Sequence, residues 1–180
     1  MLRKALVVVA LLVVGLYFYS KAKMNISNED FLDPYLDEIE QKIQFRDELN
    51  PKVSQVAVAW HLDHMLKTIN GISDSLVASD PTTFENGLKP IGRLSLTLNF
   101  IPRGQAESPA SVRPPDVIKT EDIEHQLAQA REKIKIAFAQ EEDAHFHHPV
   151  FGTINKNPSL RFIEVHTEHH LKIIRDILEE

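Results

Sequence analysis

Apolar residues recur at steps of three and four over most of the chain, which is the spacing of amphipathic helices. The pattern predicts helices over residues 33–49, 54–78, 91–101, 120–140 and 159–178. Residues 91–101 also alternate in a way compatible with a strand, but no partner strand is visible, so a helix is favoured. We therefore expect an all-α fold, an antiparallel four-helix bundle.

Prolines and polar residues set the predicted boundaries. The pair Asp-Pro at 33–34 is typical of a helix start, and Asn-Pro at 50–51 of a helix end. Thr120 is predicted to cap the helix that follows it. Two stretches without periodicity, residues 102–118 and 141–158, are predicted as loops. Loops of this length in a compact domain are usually functional or disordered.

The first 23 residues differ from the rest of the chain. Residues 5–20 are sixteen positions without a charge, about 24 Å of helix at 1.5 Å per residue. Tyr17 and Tyr19 stand where interfacial aromatic residues belong, and basic residues flank the run at both ends. The pattern is typical of a membrane anchor or a secretory signal. The anchor is favoured, because no small-x-small cleavage site follows the run.

We therefore divide the chain into a membrane segment over residues 1–23, an additional N-terminal transmembrane helix, and a helical bundle over residues 24–180. A short basic leader by default keeps the amino terminus in the cytoplasm. This predicts a protein of the bacterial inner membrane whose soluble domain lies in the periplasm.

Charge is distributed unevenly along the chain. Four of the 20 Lys and Arg residues lie in the first 23 residues and all 26 Asp and Glu residues follow them, so residues 24–180 carry a net charge near −10. A domain this acidic lacks the electrostatic footprint of a nucleic-acid-binding protein, and we expect no nucleic-acid partner. The sequence contains no cysteine, which excludes disulfides, thiolate metal sites and a cysteine nucleophile.

Eight of the nine histidines fall into three clusters. The clusters are His61 and His64; His145, His147 and His148; and His166, His169 and His170. In the last predicted helix, His166 and His170 occupy seam positions, and a spacing of four places both side chains on one face. Two imidazoles in a core with nothing to bind carry an avoidable desolvation cost, which a shared divalent metal ion would remove. His169 faces away from this seam.

The second predicted helix offers a third ligand, either His61 or His64. At about 100° per residue, His61 lies about 70° from the centre of the apolar seam and His64 about 130° from it. Helix phase therefore favours His61, with His64 as the alternative. Three histidine nitrogens leave one or more coordination positions open, which is typical of a catalytic metal site.

The other candidate residues carry weaker signals. The histidines at 145–148 are expected to belong to a solvated loop. The motif HExxH is absent, and the string HTEHH does not match HxxEH, so no metalloprotease is predicted. Asp63, His148 and Glu168 are candidates for a general base or for support of the metal ligands, and spacing does not rank them.

Four strings give the chain a resemblance to a known superfamily. They are SQVAVAWHLDH (54–64), IPRGQAESPASVRP (101–114), HPVFG (148–152) and HTEHHL (166–171). In this order they resemble the DinB-like (DinB/YfiT) superfamily of metal-dependent four-helix bundles, and within it an uncharacterised branch, a domain of unknown function. The resemblance covers most of residues 50–180, and HPVFG followed by HTEHHL is its most specific part. The membrane leader is not part of the family pattern.

The resemblance implies a divalent metal, most often zinc or nickel, held by one histidine of the second helix and by an HxxxH pair of the last helix. The pair corresponds to His166 and His170. The branch's usual string, Ser, six residues and His-Leu, places the remaining ligand at His61. The Trp-x-Leu-x-His string of thiol-transferring relatives places it at His64 instead.

Three functions are compatible with these residues. The first is a metal-dependent enzyme that hydrolyses a small molecule or transfers a thiol to it. The second is a non-catalytic protein that binds a metal or a small ligand, and the third is a membrane-tethered helical domain whose histidines are incidental. A small-molecule substrate or ligand and the membrane are the expected partners, and a homodimer is an allowed assembly.

Overall fold

A computed structural model of the chain describes residues 2–104 and 107–180. Residues 105 and 106, which belong to the predicted loop at 102–118, lie outside the described residues, as does residue 1. The helices are α1 (Leu2–Lys23), α2 (Asp33–Lys42), α3 (Val58–Ala78), α4 (Pro90–Leu98), α5 (Thr120–Phe138) and α6 (Lys156–Leu178), and the strands are β1 (His145–His148) and β2 (Gly152–Asn155). The described chain is thus mostly helical, as predicted, and the segment predicted at 91–101 forms helix α4.

Two predicted helix starts are wrong for local reasons. Helix α3 begins at Val58 instead of at residue 54, because the chain turns at Ser54, whose hydroxyl donates a hydrogen bond to the Val56 carbonyl at 2.9 Å. Thr120 does not cap α5. Its hydroxyl accepts a hydrogen bond from Arg46 Nη1 at 2.6 Å, and Lys119 occupies the cap position without a side-chain bond.

The segment predicted as a loop at 141–158 contains a β-hairpin, so the expectation of an all-α fold is wrong in this segment. Strands β1 and β2 pair antiparallel, with His145 opposite Asn155 and His148 opposite Gly152. Each strand has four residues, too few for a period of two to stand out in the sequence.

A tight backbone approach joins this hairpin to the segment before α4. Gly87 N donates to the Thr153 carbonyl at 2.9 Å. Gly152 has a φ of +84°, and a Cβ atom built there would lie 2.2 Å from the Gly87 carbonyl oxygen. Only glycine meets both demands, because it tolerates positive φ and has no side chain to collide with the neighbouring backbone.

Helices α3 and α5, which pack closely, run in the same direction. Near their starts Asp63 accepts a hydrogen bond from Gln126 at 2.8 Å, and farther along both helices Asp74 pairs with Lys133 at 2.6 Å. The prediction of an antiparallel arrangement is therefore wrong for this pair. The connection over residues 79–119 brings the chain back to the end of the molecule at which α3 began.

Helix α6 runs antiparallel to α3 and parallel to α2. Its His166 contacts His64 of α3, and its later His170 contacts the earlier His61. On the other side, Arg175 of α6 forms two hydrogen bonds of 2.6–2.7 Å with Glu38 of α2.

The core lies between α2, α3, α5 and α6. Fully or almost fully buried side chains from these helices are Leu36, Ile39, Leu62, Ile69, Ile123, Ile134, Ile163 and Ile174. Helix α3 is central, because it packs against both α5 and α6. Side chains on nearly every side of α3 are buried, among them the polar His61, Asp63 and His64.

Among the described helices, α1 is the one long and apolar enough to cross a membrane, over Leu6–Lys23. Only 6 % of that stretch is buried, and its carboxyl end touches the domain where the Ser20 and Thr97 hydroxyls lie 2.8 Å apart. Signal sequences and core helices of soluble proteins share this length and composition, so the membrane anchor stays a prediction.

Replacing Gly152 tests the approach of the hairpin to Gly87. We expect Gly152→Ala to lower the free energy of unfolding by more than about 2 kcal/mol, because the new Cβ meets the Gly87 carbonyl and the backbone stays at positive φ. The matched control is Gly71→Ala in α3, where a Cβ has nothing within 4 Å. That variant should be stabilised by up to about 1 kcal/mol. Urea unfolding of the two variants measures both effects, and equal stability would contradict the packing described.

Candidate metal centre

Three imidazoles from two helices converge at one point. They are His64 of α3 and His166 and His170 of α6, and one ligand atom of each lies within 4.8 Å of the other two. His166 Nε2 is 3.2 Å from His64 Nε2 and 3.2 Å from His170 Nε2. His64 and His170 are 4 % and 8 % exposed.

The spacing of these nitrogens fits a divalent metal ion. Zinc–nitrogen bonds of about 2.0–2.1 Å place neighbouring nitrogens about 3.3–3.4 Å apart in a tetrahedral site and about 2.8–3.0 Å apart in an octahedral one. The two separations of 3.2 Å fall between these values. The cluster could therefore hold a metal ion.

A backbone carbonyl fixes the proton of His64. His64 Nδ1 lies 2.9 Å from the Val112 carbonyl oxygen, which can only accept, so Nδ1 carries the proton. In the neutral imidazole, the lone pair is then on Nε2, the atom that faces the other two histidines. Val112 ends the short helical turn Ala110–Val112, so the segment 102–118, which was predicted as a loop, supports the site from outside.

A chain of hydrogen bonds fixes the proton of His170 in the same way. The Ser54 hydroxyl donates to the Val56 carbonyl, so its oxygen accepts from His61 Nε2, 3.0 Å away. With that proton on Nε2, neutral His61 accepts at Nδ1 from His170 Nδ1, at 3.0 Å. His170 is left with its lone pair on Nε2, directed at the cluster.

The four histidines predicted from the sequence as candidate metal ligands lie together. The geometry differs, however, from the ranking of His61 above His64 that helix phase gave. His64, the alternative, belongs to the group of three nitrogens, whereas His61 lies behind His170 with both ring nitrogens engaged by His170 and Ser54. The physical reason is that α3 is buried on nearly every side, so its apolar seam does not identify the side that faces α6. Which of the two binds an ion stays a prediction.

Burial keeps these imidazoles neutral. Desolvation is the main cause that lowers the pKa of His61 to about 4, and it also lowers the pKa of His64. Burial, followed by the neighbouring imidazoles, holds the pKa values of His166 and His170 well below the usual range. Neutral imidazole is the form that donates a lone pair to a metal.

The two carboxylates proposed as bases are occupied elsewhere. Asp63 forms an ion pair of 2.7 Å with Lys67 and accepts from Gln126 of α5, so it faces away from the three histidines. Glu168 pairs with Arg175 at 3.2 Å. Asp63 therefore links α3 to α5, whereas the ion pair of Glu168 lies within α6.

His148 is the loop histidine that approaches the cluster. Its Nδ1 accepts from the backbone N–H groups of Val150 and Phe151 at 3.1 and 3.0 Å. Its ring packs against Phe162 with a centroid distance of 4.6 Å, and Phe162 in turn lies 5.3 Å from His166. His148 is half-buried against Phe162, so for this residue the expectation of a solvated loop is wrong. The same burial lowers the pKa of His148 to about 4.

The groups that orient the imidazoles, Ser54 and the carbonyl of Val112, were not predicted from the sequence. Ser54 stands first in the string Ser, six residues and His-Leu, which was the available signal for its contact with His61. A backbone carbonyl leaves no such signal, because any residue type provides one.

No family model, curated protein or solved structure matches the chain. Membership of the DinB-like superfamily therefore remains a prediction from the motifs. The geometry of the histidine cluster is independent of that assignment.

The lowered pKa values predict how stability depends on pH in the metal-free protein. Each buried histidine binds its proton more weakly in the folded than in the unfolded chain, so the unfolded chain holds more protons as pH falls below about 6.5. The free energy of unfolding should be highest above that pH and should fall below it, by up to about 1.4 kcal/mol per pH unit for each such histidine.

Urea unfolding at several pH values between about 7.5 and 5 measures this slope. His125→Gln, outside the cluster, should keep the wild-type slope, and His61→Gln should make it shallower. A free energy of unfolding that stays constant over this range would contradict the burial of neutral imidazoles.

Proposed function

We propose that the protein is a DinB-like, divalent-metal-dependent enzyme that hydrolyses a small molecule or transfers a thiol to it, tethered to the membrane by α1. The observation that carries the proposal is the meeting of three histidine nitrogens, with 3.2 Å between His166 and each of its partners. The packing of α2, α3, α5 and α6 around one core supports the four-helix bundle of that superfamily.

Each residue of the cluster has a distinct part in this proposal. His64, His166 and His170 would hold the ion, and His61 and Val112 orient two of them through their Nδ1 atoms. Zinc and nickel both suit imidazole nitrogen, and an ion of this kind supplies Lewis acidity to a substrate. Within the described residues no carboxylate joins the three nitrogens, which leaves room for a substrate atom.

We assign a substrate-binding role to His148, which lies on the side of the cluster formed by His166. Because its Nδ1 accepts from two backbone amides, its proton is on Nε2, and the residue can donate a hydrogen bond.

The second candidate function, non-catalytic binding of a metal or small ligand, is favoured by one observation. His64 and His170 are almost fully buried, and the Trp60 ring stacks on His64 at a centroid distance of 5.0 Å. Both nearby carboxylates are ion-paired, so the described residues supply no free general base beside the histidines.

Metal binding to histidine variants tests the site. Adding zinc or nickel to metal-free protein should raise its melting temperature and give one ion per chain, because the ion binds only the folded state. His64→Ala, His166→Ala and His170→Ala should each abolish this binding. His61→Ala should retain the ion with an affinity about 10–100-fold lower, as expected for a residue that orients a ligand. Elemental analysis after dialysis and thermal unfolding give the two readouts.

The control is His125→Ala, which should bind as the wild type does. If His61→Ala abolishes binding and His64→Ala does not, their roles are the reverse of those proposed. If His166→Ala and His170→Ala both retain one ion, the site lies elsewhere.

Cobalt in place of the ion separates the two candidate functions. A visible spectrum that changes on addition of a small thiol indicates an open position and supports the enzyme, and an unchanged spectrum supports a closed binding site.

The tether is tested in the native cell. We expect the full chain to remain with the membrane fraction after carbonate extraction, because α1 would be inserted and not adsorbed. Its intact mass should be the full 20.5 kDa. A shorter product beginning near residue 22, released in soluble form, would show that the leader is a cleaved signal.

A further inference from the structure

Helix α4 exposes an apolar stripe on its outer face. Ile91, Leu94 and Leu98 are 54, 54 and 59 % exposed, and Phe100 just after the helix is also exposed. At about 100° per residue, the three helical positions fall within about 60° of one another. An apolar stripe of this kind marks a surface that contacts something other than water.

The stripe belongs to a helix whose inner face is firmly held. Leu96 is fully buried, and its carbonyl accepts a hydrogen bond of 3.1 Å from Arg161 of α6. Gly92 lies so close to the Phe151 side chain that a Cβ there would meet it at 2.8 Å. Because the inner face of α4 packs against the domain, the side chains of its opposite face are exposed.

The position of α4 places the stripe beside α1. The hydroxyls of Thr97 and Ser20 lie 2.8 Å apart, three residues before the last residue of α1, Lys23. On the helix wheel, Thr97 lies about 100° from Leu98, so α1 and the stripe occupy neighbouring sides of α4. If α1 spans a bilayer, α4 lies at the level where α1 leaves it.

The charge around the stripe is opposite to that of the domain. Residues 86–104 contain no Asp or Glu but carry Lys89 and Arg93, as well as Arg103, which forms an ion pair of 2.7 Å with Asp176 of α6. Residues 24–180 as a whole have a net charge near −10. Lys21 and Lys23 add two positive charges at the end of α1. A short helix with an apolar face, flanking basic residues and a nearby aromatic residue has the composition of an interfacial membrane helix.

From these observations we infer that α4 is an interfacial helix that inserts Ile91, Leu94, Leu98 and Phe100 into the headgroup region of an anionic bilayer. The inference rests on the proposed anchoring by α1. It adds a second contact, which would hold the domain in one orientation on the membrane instead of leaving it to rotate about a flexible tether.

Single-cysteine variants of the full chain test this contact, because the natural sequence has no cysteine. Leu94→Cys and Leu98→Cys are labelled with an environment-sensitive fluorophore and reconstituted in vesicles of phosphatidylcholine and phosphatidylglycerol. Brominated acyl chains then report contact with lipid. We expect bromination to lower the emission from both positions, as for a side chain buried at the boundary between headgroups and acyl chains.

Two further labels separate the outcomes. Leu11→Cys in α1 reports the anchor itself. Val117→Cys reports an exposed position just before α5. The opposite end of α5 packs near the start of α6, and the length of α5 places that end about 28 Å from Val117. The inference expects quenching at Leu11, Leu94 and Leu98 and none at Val117.

Each other pattern overturns the inference in a recognisable way. Quenching at Leu11 alone leaves the anchor intact and shows that α4 stays in water. No quenching at Leu11 refutes the anchor, and the inference fails with it. A blue-shifted emission at Leu94 and Leu98 that bromine does not quench means that protein, such as a second copy of the chain, covers the stripe. Equal quenching at Val117 removes the assignment of the contact to α4, because an exposed position far from the stripe then meets lipid to the same extent.

Discussion

The placement of four neutral imidazoles between α3 and α6, three of them buried and His166 half-buried, is the constraint on which much of this structure depends. A buried polar group is costly unless it has a hydrogen-bond partner, and an imidazole has two nitrogens to satisfy. His61 uses both of its nitrogens on other side chains, and His64 uses one on a backbone carbonyl. The turn at residues 54–57, the late start of α3 and the turn at 110–112 can all be understood as supplying these partners.

The parallel direction of α3 and α5 explains how the Val112 carbonyl comes to lie beside His64. A short connection would have returned the chain antiparallel to α3, and the segment around Val112 would not exist at this place. The long connection over residues 79–119 instead runs along the molecule, docks α4 on α6 and reaches the outer side of His64 before α5 begins. The same segment thus both closes the histidine cluster and forms the surface beside α1.

The sequence predicted the existence and type of every long helix, because periodic apolar positions are a strong signal over twenty residues. It also predicted the grouping of His166 with His170, since a spacing of four decides their side of the helix. It ranked His61 above His64 because it assumed a single buried face for α3. A helix packed against neighbours on two sides has no such face, and the polar positions Asp63 and Asn70 turn towards α5 while His61 and His64 turn towards α6. The hairpin was missed because four-residue strands carry too little pattern, and helix direction was missed because periodicity says nothing about it.

The contacts between the two histidine-bearing helices join residues 102 and 109 positions apart in the chain. On the ribosome, α3 is complete long before α6 is synthesised, so His61 and His64 leave the ribosome before their partners in α6 exist. They cannot form the three-nitrogen group with one another, and a nascent chain holds at most an incomplete set of ligands. The group closes only when the carboxyl-terminal helix folds back onto α3. The compartment in which that last event takes place therefore decides which metal ions the finished protein encounters first.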